Sequence, residues 1–170
     1  DPGSAKFELN LAKQLSGMTE SLQDDMDVQL TGLEMELQRN ITENAERWFR
    51  RQNEEKLETL PITYRMRGRL LHARLLLTQG RRDKYLEKII QSRGELEELL
   101  PILQKTQFMA LQIKAYILLA EASAELEDEE RMLEELGTAL MLAEPEEIRQ
   151  YFLDEGLPMS RMLLSYLAAI

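Results

Sequence analysis

A single histidine, His72, sits inside the apolar run LLHARLLL, and four arginines (Arg65, Arg67, Arg69 and Arg74) fall around it. Trp48 with Phe49 is the largest aromatic feature, and the string DDMD supplies Asp24, Asp25 and Asp27. Histidine moves protons near neutral pH, an arginine fork grips carboxylate or phosphate at two points, and an indole offers a flat apolar wall. Each chemistry is limited here. One histidine rules out an HExxH zinc site, and zero cysteines remove thiolate ligands, thiol nucleophiles and disulfides together. A histidine-based triad would have to use His72, whose apolar surroundings favour a buried or groove-facing structural role. DDMD lacks the spacing and glycine of a calcium loop, and its acids suit the first turns of a helix, whose dipole they complement. No catalytic residue, metal ligand or cofactor is expected.

Binding is the better use of these side chains. Arg65 and Arg69 lie one helical turn apart on one face, while Arg67 points elsewhere. Trp48, Arg65 and Arg69 are therefore the expected ligand contacts, the indole as a wall and the two guanidiniums as orienting groups. A plainer alternative gives Trp48 to packing between repeats. Net charge is −10, which opposes contact with phosphate backbones. The charge is uneven: residues 41–90 hold 12 Lys/Arg against 7 Asp/Glu. That basic middle either faces an anionic ligand or acidic partner, or lines solvated helix faces and bridges to neighbouring glutamates.

The elements that carry these residues read as helices almost throughout. Phe108, Leu111, Ala115, Leu118, Leu119 and Ala122 follow the spacing of an amphipathic helix. No stretch shows sustained two-residue alternation with β-branched enrichment, so no strand is expected. The pattern predicts helices over 6–16, 19–38, 41–52, 62–79, 82–104, 107–126, 128–143, 147–153 and 158–168. The 62–79 segment is apolar on more than one side and should be central. Pro61 suits a helix start and Gly80 a helix exit. Gly94 and Pro101 predict a kink or break within 82–104, because proline cannot donate and crowds the preceding turn. No apolar run approaches the ~20 residues of a membrane span, no signal pattern opens the chain, and the lack of cysteine suits a reducing cytoplasm.

Three segments resemble one another: ELQRNITENAERWF, LTQGRRDKYLEKII and AELEDEERMLEELG. In each, a helix ends at a tight polar turn, at Asn40, Gly80 or Glu127, and a packing residue follows five positions later, at Ala45, Tyr85 or Met132. This is the sequence form of stacked helix hairpins, where neighbours complete each other's core. The pattern is tetratricopeptide-like, with a period longer than the usual ~34 residues. The expected fold is an all-α, right-handed superhelical stack of helix hairpins, a solenoid closed by a C-terminal capping helix.

Two stretches, RLLHARLLLTQGRRDKYLEKI and ALMLAEPEEIRQYFLDEGLPMSRMLLSYL, resemble the effector domain of large LuxR-family transcriptional regulators of the maltose-regulon-activator type. The residues that carry the resemblance are Ala143, Glu144, Pro145, Arg149, Phe152, Leu153, Asp154, Glu155, Gly156, Pro158 and Met159, with AERWFRRQ around Trp48. In DEGLPM, Gly156 should reverse the chain and Pro158 open a helix that lays Met162, Leu163, Tyr166 and Leu167 over the open end of the stack. The resemblance implies a cytoplasmic regulator whose nucleotide-hydrolysing and DNA-binding modules lie outside this sequence. The opening DPGSA, over residues 1–5, reads as an arbitrary start, and residues 1–170 as a single repeat domain of a larger protein, with 147–170 as its cap. The implied role is sensing an inducer and taking part in self-association. No phosphate loop or basic recognition helix is present, so this segment should touch neither nucleotide nor DNA. The alternative is a protein-interaction scaffold that presents its groove to a regulatory protein.

Overall fold

The computed structural model describes residues 25–52, 59–145 and 148–169. Among them are eight helices and no strand: α1 (25–38), α2 (Glu43–Arg51), α3 (Ile62–Asp83), α4 (Leu86–Thr106), α5 (Met109–Glu125), α6 (Glu129–Ala143), the single turn α7 (Gln150–Leu153) and α8 (Gly156–Ala169). The expected 6–16 helix and the start of 19–38 lie outside the described residues, as does position 147.

Three apolar clusters run along the stack. Leu30 and Leu37 of α1 meet Ala45 of α2 and Leu71 and Leu75 of α3. Leu77 of α3 then joins Ile89, Leu96 and Leu103 of α4 and Leu118 of α5. Ile117 of α5 joins Met132 and Leu136 of α6, Phe152 of α7 and Met159 of α8. Each cluster takes residues from consecutive hairpins, so α3 and α5 are packed on two sides. That explains why their sequences are apolar around most of the helix rather than along a stripe. The architecture is an all-α tetratricopeptide-like solenoid, held by neighbour-to-neighbour contacts.

The hairpin turns close in one way. Asn40, Lys84 and Glu127 each adopt the left-handed conformation, at φ 60°, 53° and 59°. After each, the next N–H donates to a carbonyl five residues back: Ile41 to Glu36 (2.9 Å), Tyr85 to Gly80 (2.9 Å) and Asp128 to Ser123 (3.0 Å). These are Schellman closures built without glycine. Gln107, between α4 and α5, repeats the device at φ 55°.

This geometry moves one turn from its expected place. Gly80 is not the exit of α3, since the helix continues to Asp83 and Lys84 reverses the chain. A Cβ on Gly80 would come within 2.6 Å of Ile89 Cγ1 and 3.2 Å of the Tyr85 carbonyl, so α4 passes close against α3 at Gly80. The packing residue five positions after the turn is therefore buried Ile89, and not Tyr85, which is 51% exposed. In the other two repeats Ala45 and Met132 are buried as expected. Positions 40, 84 and 127 are almost evenly spaced, so the repeat is more regular than the sequence reading had it.

Two further expectations change. Of the kink or break expected at Gly94 and Pro101, the break does not occur: α4 is one helix through both. Pro101 is exposed, so the carbonyl it leaves unpaired on Glu97 can be hydrated, while buried Leu96, Leu99 and Leu103 clamp both sides of it. In α8, Met162 is buried and Leu163 and Tyr166 are partly so, but Leu167 is 64% exposed. Gly156 does reverse the chain, at φ +66°, and is itself the first residue of the helix. Leu157 and Leu164 stand with Leu167 on the outward side of α8 and are exposed, beside exposed Ser160 and Arg161.

A charged cleft beside helix α3

Helix α3 has two polar stripes that face opposite ways. At 100° per residue, Arg65, Arg69 and His72 fall together, and Arg67, Arg74 and Arg81 fall on the other side at seven-residue intervals. The first stripe meets α2 and α4. His72 Nδ1 lies 2.8 Å from Glu95 Oε2, with the Phe49 ring edge-on at 4.8 Å. Arg69 reaches Glu98 at 3.4 Å, and both are open to water. Trp48 packs edge-to-face on Phe49 at 4.8 Å, over the first apolar cluster. Its Nε1 and the Nε of Arg65 are buried without a hydrogen-bond partner. Arg65 and Arg69 share one stripe of α3, and Trp48 packs beside Phe49 against the first apolar cluster.

The second stripe is a ladder of ion pairs, each reaching a different element. Arg67 bonds Asp27 of α1, and its other terminal nitrogen donates to Thr31 Oγ1 at 3.2 Å. Arg74 grips Glu155, at the corner between α7 and α8, with both terminal nitrogens, one of them at 2.7 Å. Arg81 meets two carboxylates of α5, Glu121 at 3.1 Å and Glu125 at 2.8 Å. Most of the arginines in the basic middle are therefore neutralised within the chain, as the solvated and bridging alternative has it. Arg74 and Glu155 are 8% and 7% exposed, so this pair is neither solvated nor on a surface.

Burial and charge act together at the middle rung. Burial alone would lower the Arg74 pKa, but the hydrogen bonds and charge of Glu155, with Glu121 and Glu34 behind, hold it above its ordinary value. Glu121, 2% exposed, is pushed up to about 7 by burial, and Glu155 adds to the push while Arg81 and Arg74 oppose it. The corner is also held by Lys114 of α5, which sits 4.7 Å over the Tyr151 ring and pairs with Glu34 of α1 at 2.6 Å.

These groups frame a cleft with two chambers. The inner one has a leucine floor (Leu30, Leu70, Leu71, Leu111 and Leu118), is bordered by Arg67 and Arg74, and encloses only about 20 Å³, room for a water molecule. The outer one, about 160 Å³, is bordered by Thr31, Gln38, Tyr151, Asp154 and Glu155. Glu34 and Lys114 line both. Arg74 thus borders one chamber and its partner Glu155 the other, and the ion pair stands between them. The cleft offers recognition groups: guanidinium forks, an ammonium, carboxylates and a phenol ring beside an apolar floor. No group of three or more metal-ligating side chains occurs among the described residues.

A family model described as the MalT-like TPR region matches residues 5–169, nearly the whole chain. The chain belongs to that family. The match covers every element described above, including the corner that carries Glu155 and the turn at Asn40. No curated protein and no solved structure matches the chain. Among the described residues no helix is long and apolar enough to cross a membrane.

Sequence reasoning passed over most of this cleft. The arginine ladder has a readable signal in its seven-residue spacing, and Glu121 has one as a carboxylate inside the apolar run YILLAEASA. Glu155 was in view as part of a turn. Its partner lies 81 residues away, a distance no local pattern carries.

Proposed function

We propose that this MalT-like TPR region is the signal-sensing and self-association domain of a cytoplasmic LuxR-type transcription regulator, without catalytic activity of its own. The observation that supports the reading is the cleft. It draws side chains from α1, α3, α5 and the α7–α8 corner, so an occupant would touch three successive layers of the stack at once. Binding there would favour one arrangement of those layers over another, and a ligand shifts an equilibrium by its differential affinity for the two states. Trp48, Arg65 and Arg69 form a second proposed contact surface. It is supported by the two buried nitrogens, Trp48 Nε1 and Arg65 Nε, that lack a partner.

A thermal-shift screen against sugars, organic acids and phosphorylated metabolites tests the reading. An occupant at 100 times its Kd adds about 2.7 kcal/mol of stability, so a clear rise in midpoint is expected. A hit unchanged in Arg65→Ala/Arg69→Ala would assign binding to the cleft rather than the second surface. A flat response throughout would favour the other reading, a scaffold for a regulatory protein. What supports that one is the row of exposed leucines on the outer side of α8, Leu157, Leu164 and Leu167.

A further inference from the structure

The wall between the two chambers is a salt bridge, and its position limits what can pass. The Arg74 guanidinium is nearly buried, and its anionic partner is carried by the corner rather than by the helices packed around it. The ion pairs that line the cleft follow the same plan, whereas Arg81 pairs with two carboxylates of the central helix α5. Central helices α3 and α5 supply the cations Arg67, Arg74 and Lys114, and the flanking α1 and the corner supply Asp27, Glu34 and Glu155. Phe152 and Met159 anchor the two sides of the corner in the apolar cluster of α5 and α6, and at the cleft itself the corner is held by this pair and the stacking of Lys114 on Tyr151. Behind the pair lies a floor of five leucines with space for no more than a water molecule.

Moving Glu155 aside would merge the chambers and uncover that floor. It would also leave the buried Arg74 fork without the carboxylate hydrogen-bonded to it, with only the more distant charges of Glu121 and Glu34 nearby, the costly half of a broken buried ion pair. An occupant without a charge cannot meet that cost. One that brings its own anion can, because a carboxylate or phosphate presents the same paired oxygens to the fork. We propose that the cleft binds an amphipathic anion, its charged head on Arg74 in place of Glu155 and its apolar body on the leucine floor, and that Arg74–Glu155 is the gate it displaces. This inference rests on the sensing reading and names its ligand class. Lys114 and Arg67 flank the head-group position, and Glu121, which touches both Glu155 and Arg81, keeps its Arg81 ion pair when the gate opens. In the closed state Glu155 acts as a tethered competitor for the site.

The test is calorimetric titration of the 170-residue chain with hexanoate, hexyl phosphate and the neutral control hexan-1-ol, with a panel of neutral sugars alongside. Hexanoate or hexyl phosphate should bind with at least tenfold preference over hexan-1-ol, and whichever of the two is tighter identifies the head group. Glu155→Gln, which weakens the competitor and keeps its shape, should tighten anion binding by about tenfold. Arg74→Gln should abolish that binding, with circular dichroism checking that the variant is folded. Should Arg74→Gln not fold, the direction of the Glu155→Gln effect decides alone. Equal binding of hexanol and hexanoate, no anion binding, or an unchanged or weaker affinity in Glu155→Gln would each overturn the proposal. A sugar hit with no anion binding would leave the sensing reading standing and remove the gate. Silence from every compound would count against both.

Discussion

Lys84, Asn40, Gln107 and Glu127 hold the left-handed backbone that glycine adopts most easily. In an L-residue the Cβ then crowds the following carbonyl, at a cost of about 1 kcal/mol. The stack accepts this at four turns because the closures satisfy helix-end carbonyls that would otherwise have no donor. Lys84 is exposed, and the ion pairs at its turn belong to Arg82, Asp83 and Lys88 instead. Lys84→Gly should therefore stabilise the chain by about 0.5–1 kcal/mol, seen as a higher urea midpoint at unchanged slope. A lower midpoint would mean that the lysine side chain contributes more than its backbone costs. Left-handed closure at non-glycine positions is hard to read from sequence, because a polar Lys, Gln or Glu near a turn looks like any other surface residue. Gly80 attracted the assignment for the opposite reason, as the residue with the strongest turn signal nearby.

At the scale of elements, Gly80 decides how closely α3 and α4 approach. Adding a methyl there improves helix propensity by up to about 1 kcal/mol. It also places a carbon 2.6 Å from Ile89 Cγ1 and 3.2 Å from the Tyr85 backbone, and the backbone atom cannot rotate away. Overpacking of this kind costs about 1–3 kcal/mol, so Gly80→Ala should be net destabilising by about 1–2 kcal/mol. Gly94, whose added Cβ would meet nothing within 4 Å, is the control on α4: Gly94→Ala should gain close to the full propensity term. Thermal melts of the two variants should move in opposite directions. The helices themselves were legible, since α3, α5 and α6 fall close to their expected ranges and Pro61 does precede the start of α3. Apolar periodicity is a property of neighbours along the chain, which is why it carried this far. The unbroken α4 was not legible, because whether Pro101 breaks a helix depends on the packing on either side of it.

Across the whole molecule, α3, α5 and the C-terminal corner meet at one group of charges, the buried Arg74, Glu121 and Glu155 with the partly exposed Arg81. Glu121 titrates near 7 in the folded chain and near its ordinary 4.5 when unfolded. Between those values the folded chain binds more protons at this site than the unfolded one does. Its contribution to stability is complete below about pH 4.5 and is lost as pH rises through about 7. Glu46 and Asp83 act in the opposite sense. Hydrogen bonds from Gln79 and Thr42 lower the Glu46 pKa, and one from Arg82 lowers that of Asp83, so both contributions fade as pH falls. The Glu121 effect is isolated by comparing the chain with Glu121→Gln in denaturant melts at pH 5 and pH 8. The difference in stability between the two pH values should shift, with the parent losing more than the variant on going to pH 8. Equal losses would mean that Glu121 is ionised throughout.

The division between sequence and structure follows from the range of the forces involved. Helix content, the stacked-hairpin architecture, the family resemblance and the central place of α3 were in the sequence by itself, because they rest on periodic burial and on motifs of adjacent residues. The same applies to the two arginine stripes, whose spacing is visible once the helix is known. Which stripe borders a cleft, and that Glu155 closes on Arg74, was decided only by the tertiary structure. Ion-pair partners are chosen by distance in space and by burial, and the stacking of hairpins brings together carboxylates and guanidiniums that the chain keeps far apart.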